Sequence, residues 1–422
     1  MTSVDLESHF AGMMGRLLGP EFPEEIGLAV SGGGDSMALL TLAHNWTHRF
    51  GVQLRVVTVD HGLRPESGGE ARMVAQECAA LGHDHDILTW QGWDGGGNLQ
   101  EAARAARLRL IDAWRGELGH VLMAHTLEDQ AETVLMRLAR GSGVDGLAGM
   151  AARRFVPGEG AGGGFWVVRP LLEVRREELR HYLRVLKGSW VEDPSNFDQR
   201  FDRVKMRQAL ALLAPLGLDA PALAQTAQRM GRAQQALRAR AVAAAERGVR
   251  EVWGDLLFDR DMLGGLEEET RLRLLAAGLQ YVSGQAYRPR ARALEAAAEQ
   301  VLSGGKASLH GCLMRAERAE IRIFREHAAV AEARVTAGAV WDGRLRLCGD
   351  GITGLAVRAL GPKGAAQLPE RPEGLPYQSL IAQPAVFDGA RLVAFAPAGF
   401  GPDHDIRPVA GRRGFAAFLA TH

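Results

Sequence analysis

Three groups of residues in this chain have types and spacings suited to chemistry, and the densest is Ser31-Gly32-Gly33-Gly34-Asp35-Ser36. An apolar, partly β-branched run, Ile26 to Val30, precedes it, and Met37 to Ala43 begins a helix after it. A strand, a glycine turn and a helix N-terminus together make an anion site. Without Cβ atoms the backbone closes on its ligand, and free N–H groups with the helix dipole favour phosphate oxygens. No Gly-Lys-Ser/Thr ends the loop and the glycines miss Gly-x-Gly-x-x-Gly, so neither common nucleotide fingerprint applies. A tight turn before an ordinary helix is the plainer reading, and Asp35 with two serines in one loop weighs against it. The second group is Asp129 and Glu132, three apart with Glu128 beside them, opposite the stripe Leu127, Ala131, Val134 and Leu138. Two readings stay open for these acids. They suit a helix N-terminus capped by Thr126, and they also suit a crevice wall that holds Mg²⁺ or a substrate ammonium. The third group is Arg104 and Arg107, off the apolar stripe Leu99, Ala103, Ala106 and Leu110 of a helix opened by the capping-box pattern Asn98-x-x-Glu101. They read as a paired cationic clamp or as solvated surface charges.

Alternating elements position these groups. Leu54–Asp60, followed by His61-Gly-Leu-Arg64, reads as a second strand. Gly69–Leu81 is a helix, Asp86–Trp90 a short strand, Asn98–Trp114 a helix, and His120–His125 a strand leading into the helix Thr126–Arg140. Strands separated by such helices imply right-handed βαβ crossovers and a parallel sheet, with the ligand beyond the strand C-termini at the switch point. Ser31, Asp60 and His125 then converge on one crevice. Val156–Gly164 reads as a glycine-rich loop or hairpin tip, and Leu179–Leu186 and Val204–Leu213 as helices. From Pro221 to Val301 the chain is rich in Ala, Leu and Arg at helical spacing. After about Val330 short β-prone runs alternate with Gly and Pro, and Asp342-Gly343 and Asp388-Gly389 are hairpin-turn dipeptides.

The 422 residues are 46% hydrophobic and 24% charged with zero formal net charge, so any polyanion surface must be local. Arg229, Arg232, Arg238, Arg240, Arg247 and Arg250 are answered only by Glu246, as a solvated helix face or a phosphate-tracking one. Cys78, Cys312 and Cys348 form no Cys-x-x-Cys pair, which excludes zinc or iron–sulfur spacing and a disulfide framework. Asp5 and Glu7 stand where a signal peptide is basic, and no long apolar run occurs. The expectation is a cytoplasmic protein with no membrane partner.

The loop Ser31–Ser36 resembles the pyrophosphate loop of the ATP pyrophosphatases. With Val59-Asp-His-Gly-Leu-Arg64, the Asn98…Arg104…Arg107 helix and His125-Thr-Leu-Glu-Asp-Gln-Ala-Glu-Thr133, it resembles the tRNA(Ile)-lysidine synthetase family. Arg137–Gly143, Gly146–Met150, Arg169-Pro-Leu-Leu172 and Trp190–Asn196 follow in the family's order. The resemblance implies an α/β fold with three parts. A parallel-sheet Rossmann-like (adenine nucleotide α-hydrolase-like) catalytic domain covers 1–215, a helical tRNA-binding domain 216–328, and a small α+β, β-rich domain 329–422. It implies ATP-dependent ligation of free L-lysine to C2 of the wobble cytidine of CAU-anticodon tRNA(Ile), through an adenylated cytidine. Asp35, Asp129, Arg104 and Arg107 are then catalytic. Ser31, Gly32, Gly33, Gly34, Asp35, Ser36, Asp60 and His61 bind ATP, Asp35 holds Mg²⁺, and Asp129 and Glu132 hold lysine. Arg203, Lys205, Arg232 and Arg240 are the candidate tRNA contacts, and a homodimer stays open. Departures from the family are Glu128 in place of aspartate, Leu108 in place of tyrosine, and Asp202 and Lys205 where asparagine and arginine are usual. A 2-thiocytidine enzyme would need clustered cysteines and a glutamine-dependent synthetase a nucleophilic cysteine domain. Another pyrophosphate-loop enzyme, or an inactive tRNA- or nucleotide-binding relative, is the alternative.

Overall fold

The computed structural model describes residues 3–62, 67–91, 93, 96, 99–158, 163–192, 202–285, 287–409 and 414–421. Leu63, Arg64, Asn98 and Asp193–Asn196, singled out above, lie outside the described residues. The chain forms two compact units, 1–234 and 235–422.

In the first unit the alternation seen in sequence becomes a sheet. After α1 (Ser3–Leu18) come β1 (Glu25–Ala29), α2 (Gly34–Phe50), β2 (Gln53–Asp60), α3 (Ser67–Leu81), β3 (Asp84–Thr89), α4 (Leu99–Trp114), β4 (His120–Met123) and α5 (Leu127–Ala139). The short α6 (Val144–Leu147), the hairpin β5 (Arg153–Val156) and β6 (Phe165–Val168), then α7 (Arg176–Leu186) and α8 (Asp202–Leu213) follow; α9 (Ala220–Gly248) contains the division between units. The strand order is β3-β2-β1-β4-β6-β5. Every pair is parallel except the β5–β6 edge hairpin. β1 pairs on one side with β2 and on the other with β4, which puts the switch point between the strands that precede Ser31 and His125.

Burial explains the layers. Ile26 and Leu28 of β1 join Leu39, Leu40 and Trp46 of α2, Phe10 and Met14 of α1 and Tyr182 of α7 in one core. Val57, Val121 and Val167 pack on the other face with Ile111, Phe165, Leu108 and Trp114. Leu108 is therefore a packing residue. Gly27 is required by this second layer, since a Cβ there would meet Val121 at 3.1 Å and Trp114 at 3.2 Å.

The second unit is built on antiparallel sheets. Its first sheet orders β7 (Val249–Val252), β8 (Asp255–Asp259), β11 (Glu320–Arg325), β10 (Cys312–Ala316) and β9 (Lys306–Leu309), with α10 (Arg260–Gly265), α11 (Glu268–Ser283) and α12 (Ala291–Leu302) between β8 and β9. The stretch read as helical is thus helical and also carries a five-stranded sheet. β8 has consecutive buried residues, Leu256, Leu257 and Phe258, so it shows no alternation to reveal a strand. Farther on, β12 (Arg334–Thr336), β15 (Ala356–Ala359), β16 (Pro384–Asp388) and β17 (Arg391–Ala394) form one sheet. A second contains β13 (Val340–Trp341), β14 (Leu345–Cys348) and β18 (Asp405–Pro408). Asp342 and Gly343 turn the β13–β14 hairpin at φ 50° and 63°, and Gly389 turns β16 into β17 at φ 57°. Among the described residues no single helix is long and apolar enough to cross a membrane.

Candidate active site

The loop between β1 and α2 is shaped by its own serines. Ser36 Oγ donates to Gly33 O at 2.9 Å and lies 3.2 Å from Ser31 Oγ, while Ser31 N donates to Ser36 Oγ at 3.2 Å. Gly32 sits at φ 84°, where a side chain is strained. Gly33 is the N-cap of α2 with no side-chain cap bond, which leaves the first helical N–H groups for a ligand. Val191 N donates to Gly32 O at 3.0 Å and the Trp190 ring lies over Gly34, so the Trp190–Val191 segment braces the loop from behind α7.

Thr126 caps α5 as expected, in a reciprocal box: Asp129 Oδ2 accepts from Thr126 N at 2.9 Å and from Thr126 Oγ1 at 3.0 Å. Asp129 Oδ1 faces Arg176 at 3.5 Å and Arg203 at 3.7 Å. The cap is thus formed by one oxygen of this acid, while the other is turned to two arginines. The acid face of α5 is not solvated. Ala131 and Val134 pack with Leu210, Leu223 and Ala227, and Glu132 on the other side is fully buried, with Oε1 on Arg207 Nε at 3.0 Å. Glu132 Oε2 is sealed without a partner. Leu138, expected in the apolar stripe, is 55% exposed, because the stripe's packing partners stop a turn earlier.

Arg176, the first residue of α7, ties the two acidic elements together. Its Nε donates to Asp35 Oδ2 at 2.9 Å, its guanidinium faces Asp129, and its backbone N–H donates to Glu128 Oε2 at 2.9 Å. Burial pushes the Asp35 carboxyl up; Arg176 opposes the rise, and Asp129 and Glu128 reinforce it. Burial acts the same way on Asp129, but Arg176 and Arg203 outweigh it and hold that carboxyl below its usual range. One guanidinium thus neutralises carboxylates of both elements. The donors are hard oxygens, which is what Mg²⁺ takes when it is held by one or two carboxylates and substrate phosphate; they fit that ion.

Arg107 and Arg169 both act on His125, just after β4. Arg107 lies on α4 with a sealed, unpartnered Nε, and Arg169 follows β6, 3% exposed. His125, after β4, is held neutral, its pKa pushed down to about 3 by burial and by Arg169, Arg203 and Arg107. Asp60 Oδ1 accepts from Gly62 N at 2.8 Å, and the His61 ring meets Trp90 edge-on, its pKa lowered by burial and Arg107. Arg104 is exposed on α4.

The candidate RNA contacts differ in their surroundings. Lys205 pairs with Asp202 at 3.6 Å, so the departure at 202 neutralises its neighbour. Arg232 is exposed on α9, while Arg240 pairs with Glu267 at 3.1 Å and Arg250 with Glu320. Arg203, expected at an RNA surface, faces Asp129 instead. Sequence reasoning missed Arg176, Arg207 and the separate position of Arg169. For Arg169 the signal was its place directly after a strand, the position already used to pick out Ser31, Asp60 and His125.

Residues 6–213 match the PP-loop domain family. The chain is 44% identical over 403 residues to the tRNA(Ile)-lysidine synthase of Ruegeria pomeroyi, covering 95% of each. It is 38% identical over 320 residues to that of Hyphomonas neptunium, 75% of this chain and 85% of the relative. For that of Methylobacterium nodulans the identity is 43% over 286 residues, 66% of this chain and 81% of the relative.

Proposed function

The chain belongs to the tRNA(Ile)-lysidine synthase family, and we propose that it joins free L-lysine to C2 of the wobble cytidine of a CAU-anticodon tRNA(Ile) in two ATP-driven steps. Cytosine C2 carries an oxygen that does not leave. In the first step that oxygen attacks the α-phosphate of ATP, and pyrophosphate departs. In the second the lysine ε-amine, having lost a proton, attacks C2, and the oxygen leaves with AMP. The serine–glycine loop holds the polyphosphate on backbone N–H donors as charge develops on the leaving pyrophosphate. Asp35, with the polyphosphate, would hold Mg²⁺, which neutralises the phosphate charge.

The observation that carries this reading is the sharing of Arg176 between the loop acid Asp35 and the α5 acid Asp129. It supports a single crevice in which nucleotide and amine meet. Free lysine reaches the enzyme protonated, with an amine pKa near ~10.4, and Asp129, backed by Glu132, is the anionic side for its ammonium. Arg104, exposed on α4, is the cation for the reacting phosphate. Residues 216–328 and 329–422, with Arg232 exposed on α9, hold the tRNA body. The cytidine of an anticodon loop is partly unstacked, the form in which RNA bases are read individually.

The test is product stoichiometry. Incubated with ATP, lysine and a CAU transcript, the enzyme should release pyrophosphate and AMP in equal amounts, and pyrophosphate release should require the transcript. ATP cleavage independent of RNA would assign the loop to another pyrophosphate-loop reaction, and no cleavage at all would mark an inactive relative.

A further inference from the structure

Arg169 directly follows β6, two strands from β1 in the order β1-β4-β6 and so about 10 Å from the phosphate loop's strand. Its NH1 donates to Ala151 O at 2.8 Å, and its Nε is sealed without a partner. The Arg107 Nε is sealed in the same way. Among the described residues neither guanidinium forms an ion pair. Their charged neighbours are cations: Arg104, Arg154 and Arg137 act on Arg169, and Arg104 and Arg203 on Arg107. Burial, then this repulsion, pushes Arg169 down to about 9 and Arg107 to about 10, so both stay charged at neutral pH. The imidazole of His125 beside them is neutral and its Nδ1 is unpartnered.

A buried charge without a counter-charge is costly to fold. Two of them acting on the same imidazole, His125, with polar atoms left open, are accounted for by an anion that arrives with a ligand. The triphosphate is already provided for by the loop and the α2 N-terminus. The other polyanion in the reaction is the RNA strand. When its base reaches the α-phosphate, the sugar-phosphate attached to that base must lie about a nucleotide's length away, a span that the two-strand spacing from β1 to β6 matches. Guanidinium is also the side chain best shaped to take two phosphate oxygens together.

We propose that Arg107 and Arg169 form a second anion site, separate from the phosphate loop, that binds a phosphodiester of the RNA strand next to the target cytidine. The site rests on the reading of tRNA as substrate, and it sets the target base by gripping its backbone.

The experiment measures two affinities separately: CAU transcript binding without ATP across a salt series, and ATP binding without RNA. For Arg169→Gln the transcript should bind at least fivefold more weakly and the salt slope should fall by about one. ATP affinity should stay within twofold. Arg169→Lys should keep the slope, because the charge remains. Arg107→Gln, on the partly exposed α4, is the independent arm if Arg169→Gln does not fold, and it should lower the slope equally. Unchanged slopes in the glutamine variants would make these arginines structural and overturn the site. A tenfold loss of ATP affinity with an unchanged slope would also overturn it, by making the triphosphate the anion. If the wild-type enzyme binds no transcript, the reading of tRNA as substrate fails first and the site with it. Binding changes as expected without lysidine formation would uphold the site and reject only the proposed product.

Discussion

Glu132→Gln separates a structural acid from a functional one. In the structure Glu132 is fully buried, Oε1 accepts from Arg207 Nε at 3.0 Å, and Oε2 has no partner. Burial, then Asp129, push its carboxyl up, against the pull of Arg207. Glutamine keeps the shape and an oxygen for Arg207, exchanging a charge-assisted bond for a neutral one at a cost of about 1 kcal/mol. Removing a charge that burial disfavours returns part of that cost. The melting temperature should therefore fall by no more than about 2–4 °C. The functional effect should be larger. If the sealed oxygen receives the lysine ammonium when substrate enters beside Asp129, the variant loses a hydrogen bond to a charged group, about 1.5–3 kcal/mol. That corresponds to a rise in lysine KM of roughly 10- to 150-fold. The assay is steady-state AMP release, with lysine and ATP varied in turn, beside thermal unfolding of the same preparations. The ATP KM should stay within about threefold, since no nucleotide phosphate meets α5 on this account. An unchanged lysine KM with a drop in melting temperature well beyond 4 °C would refute the reasoning and leave Glu132 as the clamp between α5 and α8.

Asp35→Ala should abolish transcript adenylation while transcript affinity stays within a few-fold, because the loop acid serves nucleotide and metal; adenylated RNA formed at near the wild-type rate would reject that role. Arg232→Ala should lower the salt slope of transcript binding by about one, for cognate and non-cognate tRNA alike. Arg240→Ala should lower it less, because Glu267 already answers that charge; equal slopes for wild type and the double variant would make α9 a solvated face. Cys78 and Cys312 are buried with thiols pushed up to about 12 by burial, whereas Cys348 is partly exposed. Native protein at pH 8 should take up iodoacetamide at Cys348 alone, as read by peptide mass spectrometry, and labelling of Cys78 before unfolding would contradict the packing of α3.

The catalytic unit was legible where function and local structure use the same residues. The run Ile26–Val30 and the glycines after it encode strand, turn and helix start within a dozen positions, and Thr126 with Asp129 encodes a cap three residues apart. What stayed hidden depends on residues far apart in the chain. Arg176 meets Asp35 across 141 positions, and no periodicity within α7 marks it. The helical wheel of α5 placed Glu132 opposite the apolar stripe and read that face as open, but α8 covers it through Arg207. The same limit applied to Arg240, whose acid Glu267 lies on the loop before α11 and not on α9. In the second unit, strands of four to six residues between alanine-rich helices carried too little alternation to compete with the helical pattern.

Nucleoside mass spectrometry of a CAU-anticodon tRNA(Ile) transcript after incubation with enzyme, ATP and lysine tests the central claim most directly. The account predicts that one cytidine, at the wobble position, becomes lysidine, its mass raised by one lysine less one water. It also predicts no product when lysine is omitted or when the anticodon cytidine is replaced. An unmodified wobble cytidine in RNA that the enzyme binds, or a cytidine modified with no lysine present, would contradict the account.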